Sequence, residues 1–161
     1  MTLGSHQKTI GKSQVRLTPK RFIDALGPFG LDPCAANPRP WDCAARNYTV
    51  LGLDAPWEGV VGLNPPFDRR QVGRWVERLA QHGQGIALLH ARTETEWFKP
   101  VWRSASAIQF LDRRIAFCDS QGVEAKANSG APPVLCAFGA DCAERLFLAN
   151  LGGPIATEWT R

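Results

Sequence analysis

The chain has 161 residues, five cysteines and a formal net charge of +4 at pH 7, which suits one packed domain with little left for a second module. No apolar run approaches the roughly 20 residues that span a bilayer, and the polar amino terminus does not resemble a signal peptide. We therefore expect a cytoplasmic protein without membrane association, in which an odd number of cysteines without C-x-x-C spacing predicts free thiols and no metal site.

The predicted elements alternate between helices and strands. Residues 1–13 are polar and lack hydrophobic periodicity, which predicts a mobile arm ahead of a single domain over residues 14–161. In that domain Thr18 is a suitable N-cap, and Pro19 a suitable first residue, for a helix that a glycine-proline pair ends. The apolar residues 29–32 then predict a strand.

Two further apolar segments lead to polar residues suited to chemistry. Residues 48–53 and residues 59–63 are rich in β-branched and aliphatic side chains, so each predicts a buried strand. The first strand would end at Asp54 and the second at Asn64. A helix capped by Asp68 is predicted next, because four apolar side chains then recur at the i, i+3, i+4, i+7 spacing of one buried face.

The second half of the chain continues the alternation. We predict a strand over residues 86–89, a helix over 97–105, a hairpin over 107–117, a strand over 134–138 and a helix over 141–150. The sum is an α/β fold with a mainly parallel, Rossmann-like sheet, helices on both faces and a late β-hairpin. Such sheets bind ligands outside the carboxyl ends of their strands, where Asp32, Asp54, Asn64 and His90-Ala91-Arg92 are expected to lie.

The tetrapeptide Asn64-Pro65-Pro66-Phe67 points to a specific reaction. An exocyclic amino nitrogen of a base is a poor nucleophile, because its lone pair is delocalised into the ring. The Asn64 side-chain oxygen and the Pro65 carbonyl can accept its two hydrogens, while the prolines hold the turn extended. Phe67 can stack on a flipped base. All four residues are therefore predicted to be catalytic, although a simple turn after a strand has a similar composition.

Several motifs in this order resemble those of the short phage-type DNA N6-adenine methyltransferases, the Dam-like family, over about residues 16–138. The similar segments are the opening helix at Thr18-Pro19, the first cofactor motif Asp32-Pro33-Cys34-Ala35, the catalytic tetrapeptide, and the stretch over residues 88–98, which includes Arg92-Thr93. The resemblance implies a Rossmann-like S-adenosylmethionine-dependent methyltransferase that acts on adenine N6 in DNA. It also implies a bacterial host cell and a gene of phage or prophage origin.

The resemblance also implies which residues bind the cofactor, and positions in the predicted fold indicate which residues bind the substrate. S-adenosylmethionine is expected to contact Thr18, Asp32, Pro33, Cys34, Ala35 and Asp54. Arg92 and Thr93 lie beside the tetrapeptide in the predicted fold, which places them in the active cleft, to orient substrate or brace the catalytic loop. Arg69 and Arg70 follow the tetrapeptide directly and can bind phosphates that flank a flipped base, although a solvated helix face would look the same.

Three other hypotheses remain open from the residues. The same tetrapeptide serves any planar nitrogen with two hydrogens, so cytosine N4 or a glutamine amide is an alternative target. A non-catalytic nucleic-acid-binding module is another, because Asn37-Pro38-Arg39-Pro40 stands where many methyltransferases place glycines. Cys34 follows a proline like the nucleophile of carbon-5 cytosine methylation, but its place in the first cofactor motif favours a small packing residue.

Overall fold

The computed structural model describes residues 15–127 and 129–159, so the expected mobile arm over residues 1–13 lies outside the described residues. In the described part, the helices are α1 (Lys20–Leu26), α2 (Val72–His82), α3 (Lys99–Ser104) and α4 (Ala140–Ala149). The strands are β1 (Leu31–Asp32), β2 (Arg46–Asn47), β3 (Val61–Leu63), β4 (Gly85–His90), β5 (Ala107–Phe110), β6 (Pro133–Phe138) and β7 (Ile155–Ala156). None of these helices has the length and apolar character needed to cross a membrane.

The strands form one seven-stranded sheet in the order β2-β1-β3-β4-β6-β5-β7. The first four are parallel, whereas β6 runs antiparallel between β4 and β5, and β7 pairs antiparallel with β5. The expectation of a mainly parallel sheet is therefore wrong, and the sheet is mixed. The described residues that connect β5 to β6 contain no helix, and adjacent strands without a crossover helix pair antiparallel.

Helices cover both faces of the sheet, as predicted. Along β4, Ala87 and Leu89 belong to the buried cluster that includes the apolar face of α2 and Val101 of α3. Ile86 and Leu88 belong to a second cluster, which includes the buried residues of α1 and α4. Because successive side chains of a strand point to opposite faces, the sheet lies between two helical layers.

Helix α2 confirms the prediction from hydrophobic periodicity. Its buried side chains are Val72, Trp75, Val76 and Leu79. It ends at Gly83, whose φ of 77° is left-handed and suits a residue without Cβ. Its start differs, because Asp68 accepts a hydrogen bond from the Arg70 N–H at 2.8 Å in a turn ahead of the helix. Gln71 takes the N-cap position, without a side-chain hydrogen bond.

The strand predicted over residues 48–53 is absent. This segment is irregular, with Val50 and Leu51 exposed by 75% and 74%, and the strand in this region is the shorter β2 just before it. The chain comes so close to β1 here that a Cβ on Gly52 would lie 1.7 Å from the Pro33 carbonyl oxygen. Asp54 therefore follows a turn, in which its N–H donates to the Leu51 carbonyl at 2.9 Å.

The hairpin predicted over residues 107–117 is also wrong. Strand β5 ends at Phe110, and the chain then leaves the sheet although Ile115 and Phe117 are buried. The apolar residues of this segment therefore predict its burial correctly, but they do not predict its backbone conformation. The antiparallel partners of β5 are the later strands β6 and β7, and β7 was not predicted.

The other predicted elements are present with small shifts at their ends. The helix predicted over residues 97–105 is a 3-10 turn, Glu96–Phe98, followed by α3. Helix α1 begins at Lys20 with Pro19 as its N-cap and no side-chain hydrogen bond there. Thr18 therefore does not cap α1, and its partly exposed side chain lines the cleft described below.

Candidate functional site

The sheet has a topological switch point at β1. The chain passes from β1 to β2 on one side and then to β3 on the other, and α/β sheets bind ligands in the crevice that such a reversal opens at the carboxyl ends of the strands. Asp32 is the last residue of β1, and Asn64 follows the last residue of β3. The fold thus places both residues at this crevice.

A cleft of about 550 Å³ opens there, which we call the inner cleft. Its volume lies in the range of roughly 300 to 1,000 Å³ that is typical of small-molecule sites. All four tetrapeptide residues line it, together with the segment over residues 15–18, Asp32 and His90. The segment is attached to the rest of the fold by an antiparallel bridge, in which Leu17 and Cys118 exchange two backbone hydrogen bonds of 2.9 Å.

Asn64 is held in one orientation. Its side-chain Nδ2 donates to the Arg16 carbonyl at 2.8 Å, and this bond assigns the amide so that Oδ1 stays available as an acceptor. The Cys34 thiol donates to the Asn64 backbone carbonyl at 3.2 Å. Pro65 is buried next to it and has a fixed φ. The acceptor geometry is therefore set by contacts from two other parts of the chain.

Asp32 is a buried carboxylate without a salt bridge. Its side chain is 8% exposed and accepts a hydrogen bond from the Cys34 N–H at 3.0 Å. Burial raises the pKa of Asp32 to about 6, although hydrogen bonds from Cys34 and Cys43 and the charge of Arg39 oppose the rise. None of the ion pairs found in the described part of the chain includes Asp32. A cationic group of a ligand would supply the partner that this carboxylate lacks.

The three residues after Asp32 differ in whether they reach the inner cleft. Cys34 lines the inner cleft, whereas the buried residues Pro33 and Ala35 do not. Burial, together with the charge of Asp32, raises the pKa of the Cys34 thiol well above its usual value. The thiol stays protonated and is a weak nucleophile, which agrees with the expected packing role.

Phe67 carries an aromatic partner that the sequence analysis did not assign. The His90 imidazole stacks on its ring with centroids 3.9 Å apart and planes inclined by 9°. Burial, and then the charges of Arg16 and Arg92, lower the pKa of His90 to about 4, so the ring is neutral at pH 7. Its position at the end of β4, beside β3, was the available signal, since strand ends meet at one edge of the sheet.

A second cleft of about 700 Å³ is also lined by this ring pair, and we call it the outer cleft. Phe67 and His90 line both clefts. Arg69 and Arg92 line the outer cleft, are exposed, and form no ion pair among the residues that the structure describes. Phosphate groups are suitable partners for such guanidinium groups.

Besides Pro33 and Ala35, three other predicted site residues line neither cleft. Asp54 is exposed in its turn, and Arg70 is exposed beside the outer cleft without lining it. Thr93 acts through its backbone, because its carbonyl accepts a hydrogen bond from Trp102 Nε1 at 3.0 Å. In the described ranges, no group of three or more metal-binding side chains is assembled.

The geometry thus brings the Asn64-Pro65-Pro66-Phe67 tetrapeptide, Thr18, Asp32 and Cys34 to one cleft, and Arg69 and Arg92 to its neighbour. No protein-family model, curated protein or solved structure matches the chain. A functional conclusion therefore depends on the residues and their arrangement.

Proposed function

We propose that this chain is an S-adenosylmethionine-dependent DNA methyltransferase that methylates the N6 amino group of adenine, with a Rossmann-like methyltransferase architecture. One observation carries the proposal. The whole tetrapeptide lines a cleft at the switch point of the sheet together with Thr18 and Asp32, and the Asn64 side chain is fixed there by the Arg16 carbonyl.

The proposed work of the tetrapeptide is to activate an amine. Asn64 Oδ1 and the Pro65 carbonyl each accept one amino hydrogen, which draws the nitrogen toward a tetrahedral state with an available lone pair. Preorganisation supports this role, since neither acceptor has to reorient when the amine arrives. Phe67 lies at the boundary of both clefts, where a flipped base can stack on its ring.

The inner cleft fits S-adenosylmethionine in charge. The Asp32 carboxylate is suited to the cationic amino-acid end of the cofactor, because it is buried without a salt bridge. The Thr18 hydroxyl, which makes no capping bond to α1, is suited to the cofactor carboxylate. When bound, the cofactor supplies an electrophilic methyl group. Asp54, which the resemblance assigns to the adenine ring of the cofactor, is exposed in its turn and does not line the inner cleft.

The choice of DNA and adenine has separate support. The exposed cations Arg69 and Arg92 line the outer cleft beside Phe67, together with the carboxylates Glu94 and Glu96. The two arginines, rather than the cleft as a whole, supply positive charge for the backbone phosphates of a flipped nucleotide. The choice of adenine over cytosine rests on the resemblance of residues 92–98 to the phage-type adenine methyltransferases. Cytosine N4 or a glutamine amide would use the same two acceptors.

Transfer of a labelled methyl group from S-adenosylmethionine to unmodified DNA tests the proposal directly. After digestion to nucleosides, we expect the label in N6-methyladenine. Label in N4-methylcytosine would contradict the base assignment, and unlabelled DNA with labelled protein would favour the amide alternative. Calorimetry that detects no cofactor binding at millimolar concentration would favour the non-catalytic binding module.

The Asn64→Ala variant tests the mechanism. Loss of one positioned hydrogen-bonding group at a reacting centre reduces kcat by about 100-fold or more, and we expect such a loss here. Glu144→Ala is the matched control, because Glu144 is exposed on α4 and lines neither cleft. Thermal denaturation of both variants shows whether they are folded. Full activity of a folded Asn64→Ala protein would show that the amine is activated elsewhere.

A further inference from the structure

The ring on which the target base is proposed to stack is already covered. Phe67 packs against the buried cluster that contains Phe117, and the Phe117 ring meets it at 61° with centroids 6.2 Å apart. His90 lies parallel to Phe67 at 3.9 Å, which is direct ring contact. A base cannot fit between rings at that spacing, so stacking of a base on this face of Phe67 requires His90 to move.

No side-chain hydrogen bond to another described residue holds the His90 imidazole in place. Its Nε2 is buried and has no hydrogen-bond partner among the described residues. A buried polar nitrogen without a partner is unfavourable, so moving the ring into solvent recovers hydration for Nε2. The guanidinium groups of Arg16 and Arg92 are near enough to disfavour its protonation, and the ring remains a neutral aromatic occupant.

The ring pair of Phe67 and His90 also lies where the two clefts meet. Phe67 and His90 are the residues that the inner and outer clefts share. The acceptors Asn64 and Pro65 lie on the inner side, whereas the cations Arg69 and Arg92 lie on the outer side. Because the ring pair lines both clefts, a nucleotide that contacts both the cations and the acceptors would lie against it.

We propose that His90 occupies the stacking position of the target base on Phe67, and that the base displaces the imidazole as it passes from the outer to the inner cleft. His90 thereby sets how readily a base is captured. This inference rests on the proposed function, because it assigns a competitor to the base in the same site.

Kinetics of His90 variants separate this role from a structural one. His90→Ala exposes the Phe67 face, so the KM for DNA should fall about two- to tenfold, the factor equivalent to one aromatic pair, with kcat little changed. His90→Phe keeps a stacked ring and should not lower KM. His82→Ala is the matched control, since His82 contacts Trp57 and the Gly59 carbonyl away from both clefts. An unchanged or raised KM in His90→Ala would overturn the proposal.

Nuclear magnetic resonance of the unaltered protein provides a second test, in which a variant serves only to assign the signals. The chain has three histidines, and the His90 ring protons should be shifted upfield by the Phe67 ring, an assignment that His90→Gln checks. An adenine-containing oligonucleotide is added together with sinefungin, a non-reactive analogue of the cofactor. We expect the His90 signals to move downfield toward ordinary positions while those of His82 stay.

The outcomes distinguish this inference from the proposed function. If the enzyme methylates adenine and binds the oligonucleotide while the His90 signals stay upfield, the displacement is wrong and the methyltransferase assignment stands. If the protein neither binds the oligonucleotide nor labels DNA, the proposed function fails and the competition with a base fails with it. Downfield movement together with methylation supports both.

Discussion

Asp32 is the residue at which stability and the proposed function oppose each other most directly. Its carboxylate is buried without a salt bridge, and burial raises its pKa from 3.8 to about 6. The folded state therefore binds the proton more tightly than the unfolded chain does. The tighter proton binding by Asp32 contributes to the free energy of unfolding. This contribution is fully present below pH 3.8 and is lost as the pH rises through about 6. At neutral pH the Asp32 carboxylate is therefore ionised. Its buried charge destabilises the folded protein but is available to a cationic ligand.

Asp32→Asn should therefore stabilise the free protein at pH 8. A pKa difference of about two units corresponds to at most about 3 kcal/mol in the free energy of unfolding, and we expect a gain of about 1 to 3 kcal/mol. Asparagine retains an oxygen for the Cys34 N–H. Urea denaturation at pH 8 and pH 4 provides the measurement, with no gain expected at pH 4. Destabilisation at pH 8 would show that the carboxylate is already paired.

The same carboxylate predicts how cofactor affinity changes with pH. If Asp32 receives the cationic end of S-adenosylmethionine, protonation below pH 6 removes the attraction. Affinity should then weaken by up to about tenfold for each further pH unit. Calorimetry between pH 5 and pH 8 measures this dependence. In Asp32→Asn, binding should be weak at every pH and nearly independent of it, and an unchanged pH profile would place the cation elsewhere.

Only some of the site could be predicted at the scale of residues. The Asn64-Pro65-Pro66-Phe67 tetrapeptide was found because its chemistry is local, and Asp32 because a strand end is readable from the apolar residues before it. The His90 stack and the Arg16 contact join residues that are 23 and 48 positions apart. No local pattern encodes such pairs, because they depend on which strands become neighbours.

At the scale of elements, periodicity was a better guide than composition. Helix α2 was predictable because its four apolar residues repeat at helical spacing and a glycine follows. Residues 48–53 have equally apolar side chains, but composition alone does not distinguish a buried strand from an exposed loop, and Val50 and Leu51 proved exposed. Strand β7 escaped prediction because its two residues, Ile155 and Ala156, are too few to show a period.

The end of α2 gives a prediction at this scale. Gly83 has a φ of 77° and open space around the position of a Cβ, so Gly83→Ala should be destabilising through the backbone alone, by about 1 kcal/mol. Gly130→Ala is the matched control, because Gly130 also has open space and no left-handed φ. Thermal denaturation compares the two. Equal stability of both variants would show that the helix end relaxes to another conformation.

At the scale of the whole molecule, the topology of the sheet was the hardest feature to predict. The parallel pairing of the first four strands agrees with the prediction, whereas the antiparallel pairing of β6 with β4 does not. The reversal of β6 depends on its pairing with β4 over six residues, a contact between segments more than 40 positions apart. It follows from the competition among apolar strands for neighbours, which the sequence of any one strand does not reveal.

The distribution of charge predicts the salt dependence of DNA binding. A net charge of +4 and unpaired arginines at the outer cleft imply that binding releases counterions. Arg92→Ala and Arg69→Ala should each weaken DNA binding and reduce the slope of log K against log salt by about 1. Fluorescence anisotropy at several salt concentrations measures the slopes. Arg46→Ala is the control, since Glu58 already pairs with Arg46, and an equal change there would mean that only total charge matters.

The bond from Asn64 to the Arg16 carbonyl has a practical consequence for how fragments of this protein are designed. The acceptor belongs to the backbone, so no side-chain substitution at position 16 removes it, but a fragment that begins at residue 17 does. Such a fragment keeps the Leu17 and Cys118 bridge and all the described helices and strands. Its Asn64 side-chain amide, however, is free to rotate, because the Arg16 carbonyl that fixes it is missing. A boundary chosen for solubility would then change the orientation of Asn64 as a substitution at that residue would.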